Sequence, residues 1–117
     1  MLLSIDTKRS DRLGELLLEF ISQLLAKEIS DPRIRPVTLT KADVSKDLKH
    51  ARVYFSLLMG NEGKEEVLAG LKSATGFIRA RIAGELKLRF VPIIDFVYDD
   101  TQSHVQRIEE LLRQIKK

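Results

Sequence analysis

The sequence predicts an α+β domain. A three-stranded mixed sheet carries helices on one face, in the order α-β-β-α-α-β plus a C-terminal helix. Three observations carry this prediction. Leu13, Leu16, Leu17, Phe20, Ile21, Leu24 and Leu25 recur at three- and four-residue spacing, the signature of one apolar helix face. Ala51, Val53, Phe55, Leu57 and Met59 alternate with Arg52, Tyr54, Ser56 and Leu58, as on a strand with one buried face. Between that strand and the next β-branched run lies a helical stretch from about Lys64 to Leu86, which makes the connection a helical crossover.

Taken in order, the first helix is expected from Lys8 to Ile29, with Lys8, Arg12, Glu15 and Glu19 on its solvent side. Asp31-Pro32 ends it, because proline restricts the residue before it and cannot continue a helical hydrogen-bond ladder. Val37–Lys46 reads as a strand whose alternation changes phase between Leu39 and Val44, predicting a bulge near Lys41-Ala42. It should pair antiparallel with the Ala51–Met59 strand, placing Lys46 and Lys49 near the hairpin tip. Gly60-Asn61-Glu62-Gly63 makes the next break. A helix from Lys64 to Ser73 and a second from Phe77 to Leu86 are expected to meet at a short junction, Ala74-Thr75-Gly76. A third strand follows from Val91 to Tyr98, with Ile94, Phe96 and Tyr98 on one face. A final helix from about Ser103 would turn Val105, Ile108, Leu111, Leu112 and Ile115 inward.

The 117 residues fit one domain with short flexible ends. No run approaches the roughly 18 apolar residues of a membrane span, and the first residues are too short for a signal-peptide core. The absence of cysteine excludes disulfides, thiolate zinc sites and thiol nucleophiles, and fits a reducing cytoplasm. His50 and His104 stand apart, with no metal-ligand spacing around them. The serines lack a Gly-x-Ser-x-Gly setting, and no Gly-x-x-x-x-Gly-Lys phosphate loop occurs. Asp99-Asp100, the one tempting carboxylate pair, falls where a helix N-cap is expected. No catalytic residue, metal or cofactor is expected.

Positive charge is uneven. Residues 71–91 carry Lys72, Arg79, Arg81, Lys87 and Arg89 against the single acid Glu85. A tight junction at Ala74, Thr75 and Gly76, with glycine lacking a Cβ, would let a nucleic-acid backbone approach the main chain. Arg79 and Arg81 lie about 160° apart on the helical wheel, so they would grip a curved ligand rather than a flat one. Lys46, Lys49 and Arg52 extend the basic surface along the hairpin. Lys8, Arg9 and Arg12 begin the first helix, where positive charge opposes the macrodipole and so suggests a functional use. The aromatics are few and mostly at core positions, which disfavours base stacking.

The element order is that of a type II KH-like domain. KH domains clamp single strands with a Gly-x-x-Gly loop, which is replaced here by Ala74-Thr75-Gly76, so recognition should lean on shape and phosphates. With that junction, Asp31-Pro32-Arg33, Val44 to Tyr54, Leu88-Arg89-Phe90-Val91-Pro92, Phe96 to Asp100 and Arg107 to Leu112 all resemble the ribosome-binding factor A family, in its order and spacing. The resemblance implies a monomeric, cytoplasmic, non-enzymatic assembly factor. Its partners would be the small ribosomal subunit and its rRNA, with no membrane and no small-molecule substrate. It also implies help in maturing the 5′ end region of that rRNA and a role in growth in the cold. The alternatives are a generic single-strand RNA-binding KH module and, less well supported by the residues, an enzyme acting through Asp99-Asp100.

Overall fold

In the computed structural model, which describes residues 2–57, 63–100 and 112–113, the leucine-rich stripe forms a helix longer than expected, α1 (Leu2–Lys27). Neither glycine nor proline interrupts residues 2–13, so the helix runs on toward the N-terminus. It ends at Lys27, and a 3-10 turn follows at Pro32–Ile34, capped by Asp31, whose carboxylate accepts from the Arg33 amide at 2.9 Å and from the Arg33 guanidinium. Those hydrogen bonds hold the Asp31 carboxyl below its ordinary pKa.

Strand β1 (Val37–Val44) pairs antiparallel with β2 (His50–Leu57), and β2 pairs parallel with β3 (Ile93–Tyr98), giving the mixed three-stranded order β1-β2-β3. The bulge falls between Leu39 and Lys41, one residue earlier than expected, with Thr40 as the extra residue. That insertion lets Leu39, Ala42 and Val44 all turn toward the helices. Ala51, Val53, Phe55 and Leu57 are buried on the helix-covered face, whereas Arg52 on the opposite face is exposed.

The second half of the chain corrects the two-helix expectation. Residues Lys64–Glu85 form one unbroken helix, α2. The reason is visible in its burial: Val67, Leu71, Ala74, Ile78 and Ile82 are all buried, an apolar ladder that passes through Ala74 without losing phase. The Thr75 hydroxyl donates back to the Leu71 carbonyl at 2.8 Å, reinforcing the turn where a break was expected. Helix α2 begins after Gly63, whose φ of 78° is left-handed and suited to glycine. The expected C-terminal helix from Ser103 lies almost wholly outside the described residues. Asp99, placed by the sequence as its cap, has its carboxylate hydrogen-bonded by the Thr40 hydroxyl at 2.9 Å.

Both helices pack on the same sheet face. One core cluster joins Leu17, Ile21 and Leu24 of α1 to Ala51, Val53 and Ile94 of the sheet and Ala74, Ile78 and Ile82 of α2. A second gathers Ile34, Phe55, Leu57, Val67 and Leu71. The glycines separate close packing from open space. A Cβ on Gly14 would lie 2.6 Å from the Ala42 carbonyl oxygen, which is fixed in β1, whereas one on Gly76 would meet nothing within 4 Å. Gly14→Ala is therefore expected to destabilise by about 1–2 kcal/mol, overpacking outweighing the gain in helix propensity. Gly76→Ala should instead stabilise by about 0.5–1 kcal/mol, since it removes a glycine from a helix interior. Urea unfolding of the two variants checks both signs. A loss on Gly76→Ala would mean that the position needs a break in the helix.

Candidate nucleic-acid interface

Strand register fixes one end of the molecule. Val44 pairs with Ala51 at the end of β1, and the Ile93 amide donates to the Lys49 carbonyl at 2.8 Å, bringing the start of β3 beside the hairpin. The loop from α2 into β3 therefore lies at the hairpin end. Helix α1 runs antiparallel to β1. Its Gly14 faces Ala42 and Val44, Leu18 lies beside Thr40 and Lys41, and Leu25 and Ile29 pack near Val37 and Leu39. At 1.5 Å per residue, Lys8, Arg9 and Arg12 continue past Val44 toward the same end.

Three groups of exposed cations thus converge: Lys8, Arg9 and Arg12 from α1, Lys46 and Lys49 from the hairpin, and Lys87 and Arg89 from the α2–β3 loop. None of these side chains makes a salt bridge with another described residue. Asp47, in their midst, is already engaged: its carboxylate accepts from the Ser45 hydroxyl at 2.6 Å and from the Lys49 amide at 3.0 Å, which lowers its pKa. The described non-glycine residues with left-handed backbone are Leu48, at φ 64°, and Lys87, at φ 50°, and both belong to this end. A lysine in that conformation after a helix, where glycine costs least, carries local strain of about 1–3 kcal/mol.

The remaining sequence candidates lie elsewhere or are committed within the fold. Arg79 donates from Nε to the Pro92 carbonyl at 3.2 Å and from Nη2 to the Val91 carbonyl at 3.1 Å, tying α2 to the lead into β3. Arg81 bridges Glu28, just past the end of α1, and Glu85 one turn on, so two carboxylates offset its charge. Arg52 has Asp43 and Asp95 as its register neighbours across the open sheet face. Lys72 is exposed on α2, Ala74 is buried in the core, and Thr75 and Gly76 lie inside continuous helix whose amides serve the helix itself. The main-chain approach expected at Gly76 therefore has no turn to use.

Sequence reasoning also missed exposed aromatic surface. Phe90 is 61% exposed and Phe77 43%, the two exceptions to the expectation that the aromatics lie mostly at core positions. Arg79→Ala is expected to lower stability by about 1.5–3 kcal/mol, the range for hydrogen bonds to a charged group. Thermal melting beside a binding assay checks this, because weakened RNA binding in a partly unfolded variant says nothing of contact. An unchanged melting temperature would contradict the structural role given to Arg79. Among the described residues, no cluster of three His, Cys, Asp or Glu side chains could hold a metal ion, and no helix is long and apolar enough to cross a membrane.

A mixed three-stranded sheet under two helices, with a basic end built from loops and the first half of α1, places the molecule in the KH-like α+β class. Its chain belongs to the ribosome-binding factor A family, whose family profile matches residues 9–112. Ribosome-binding factor A of Geobacter metallireducens is 44% identical over 108 residues, covering 92% of each chain. That of Halothermothrix orenii is 42% identical over 109 residues, 93% of this chain and 89% of the relative. The crystal structure of the Thermus thermophilus protein superposes with a TM-score of 0.67 over 76% of this chain and 93% of that one, at 24% identity, which speaks for the fold. A homology model of the Thermus thermophilus protein, fitted into a cryo-EM map of its complex with the 30S particle, gives a TM-score of 0.54 at 26% identity, over 73% and 93% of the two chains.

Proposed function

We propose that this chain is a late assembly factor of the small ribosomal subunit, acting by occupancy and without a catalytic step. In this reading the basic end docks on folded rRNA of the immature particle and holds a neighbouring segment, in the 5′ end region, in an unfinished arrangement until the factor leaves. The observation that carries it is the convergence of Lys8, Arg9, Arg12, Lys46, Lys49, Lys87 and Arg89 at one end, exposed and without carboxylate partners among the described residues. Such a field attracts a polyanion, and phosphate contacts set position without reading sequence. Family membership and the Thermus relative seen with the 30S particle supply the particle.

Co-sedimentation with free small subunits, mature ribosomes and protein-free rRNA tests the reading. Preferential recovery with free small subunits, falling steeply as salt rises, is the expected result. Equal or tighter binding to short single strands would replace it with an ordinary KH-type RNA binder.

A further inference from the structure

Resting on that reading, we propose that Phe90 is a stacking site for one unpaired nucleobase of the bound RNA. Phe90 is the most exposed of the large apolar side chains among the described residues. It is not left on a loose segment: Arg79 holds the carbonyls of Val91 and Pro92, and the Ile93 amide is bonded to the hairpin at Lys49. The ring is therefore presented on a pinned loop. The Arg89 guanidinium lies over it, 5.6 Å from its centroid, an arrangement that leaves most of the ring open.

The surroundings select the occupant. Lys87 and Arg89 precede the ring in sequence, and the Lys49 main chain lies beside the same loop. Of the acids nearby in the chain, Glu85 pairs with Arg81, while Asp47 stays an anion held in place by the Ser45 hydroxyl and the Lys49 amide. An aromatic ring beside the Arg89 guanidinium, on a loop that also carries Lys87, suits a base whose own phosphates meet those cations, and every base offers such a face. Phe77 makes the contrast: its neighbouring cation is Arg81, already paired with Glu28 and Glu85, so its setting is partly anionic. A fully paired helix keeps its bases inside the stack, so Phe90 would distinguish RNA with an unpaired nucleotide from continuous duplex.

The test uses the full chain, a fully paired RNA hairpin, and the same hairpin with a single-nucleotide bulge or an unpaired 3′ extension. Phe90→Ala and Phe90→Leu are expected to lose about 5- to 150-fold in affinity for the unpaired forms, the range for one stacked base. Both should match wild type on the paired hairpin, and Phe90→Tyr should bind every form normally. Melting temperatures confirm that the exposed substitutions leave the fold intact. Wild-type affinity in Phe90→Leu would reduce the contact to apolar area and overturn stacking, as would an equal loss on paired and unpaired RNA. Normal RNA binding with weakened recovery on whole subunits would assign Phe90 to a protein surface of the particle, which also overturns the proposal. Any of these failures leaves the assembly-factor reading standing as long as free small subunits are still preferred. Loss of that preference in wild type is the separate result that removes the broader reading.

Discussion

Phe55→Ala is expected to cost about 3–5 kcal/mol of stability, the range for truncating a buried aromatic. The residue has no solvent exposure and lies at the centre of the sheet, on β2 between β1 and β3. Its ring meets Tyr98 edge-on, with centroids 5.7 Å apart and planes at 71°, a geometry that adds to simple burial. It belongs to the cluster that ties the 3-10 turn at Ile34 to Val67 and Leu71 of α2. Its carbonyl also accepts the Asp99 amide at 2.7 Å where the chain leaves β3. Truncation would leave a cavity joining three elements, none of which can close it alone. Chemical denaturation followed by circular dichroism reads the loss, and a change below about 1 kcal/mol would mean that this core relaxes around the gap.

The second large effect is functional. Replacing Lys46 and Lys49 by alanine and Lys87 by glycine removes three cations from the basic end. Lys87→Gly also relieves a left-handed position, so the combined variant should fold at least as well as wild type at that turn. Its affinity for free small subunits should fall by about one to two orders of magnitude at low salt, with a smaller difference as salt rises. Such a pairing of retained stability with lost binding separates contact from folding. Arg79→Ala cannot do so, because that side chain holds the main chain of the β3 lead.

Much of the fold is legible in the residues, for physical reasons. The α1 stripe and the β2 alternation each repeat one period over several turns or pleats, so burial has a single solution. The bulge follows from apolar positions Leu39, Ala42 and Val44, which cannot share a face without an extra residue. The single helix α2 was readable too, since Val67, Leu71, Ala74, Ile78 and Ile82 keep helical spacing. Small residues at 74–76 gave the impression of a turn, but an exposed glycine costs a helix only about 1 kcal/mol. The tertiary packing of that ladder outweighs it.

The interface was only half legible. A sequence shows how many cations a segment carries, and residues 71–91 do carry five against one acid. It does not show which are already claimed. Arg81 meets Glu28, 53 positions away, and Arg79 meets carbonyls that only the folded crossover brings within reach. The same limit hid Phe90, whose exposure depends on where the α2–β3 loop is pinned. What survives is the set of loop and α1 cations that no carboxylate among the described residues pairs with.

The salt dependence of binding to free small subunits, measured for wild type and for the Lys46→Ala/Lys49→Ala/Lys87→Gly variant, tests that claim most directly. If these side chains meet phosphates, the slope of log affinity against log salt should become shallower by roughly 2 to 3, at about 0.7–0.9 for each contact removed. An unchanged slope in a stably folded variant would contradict the account and move the interface to another face of the molecule.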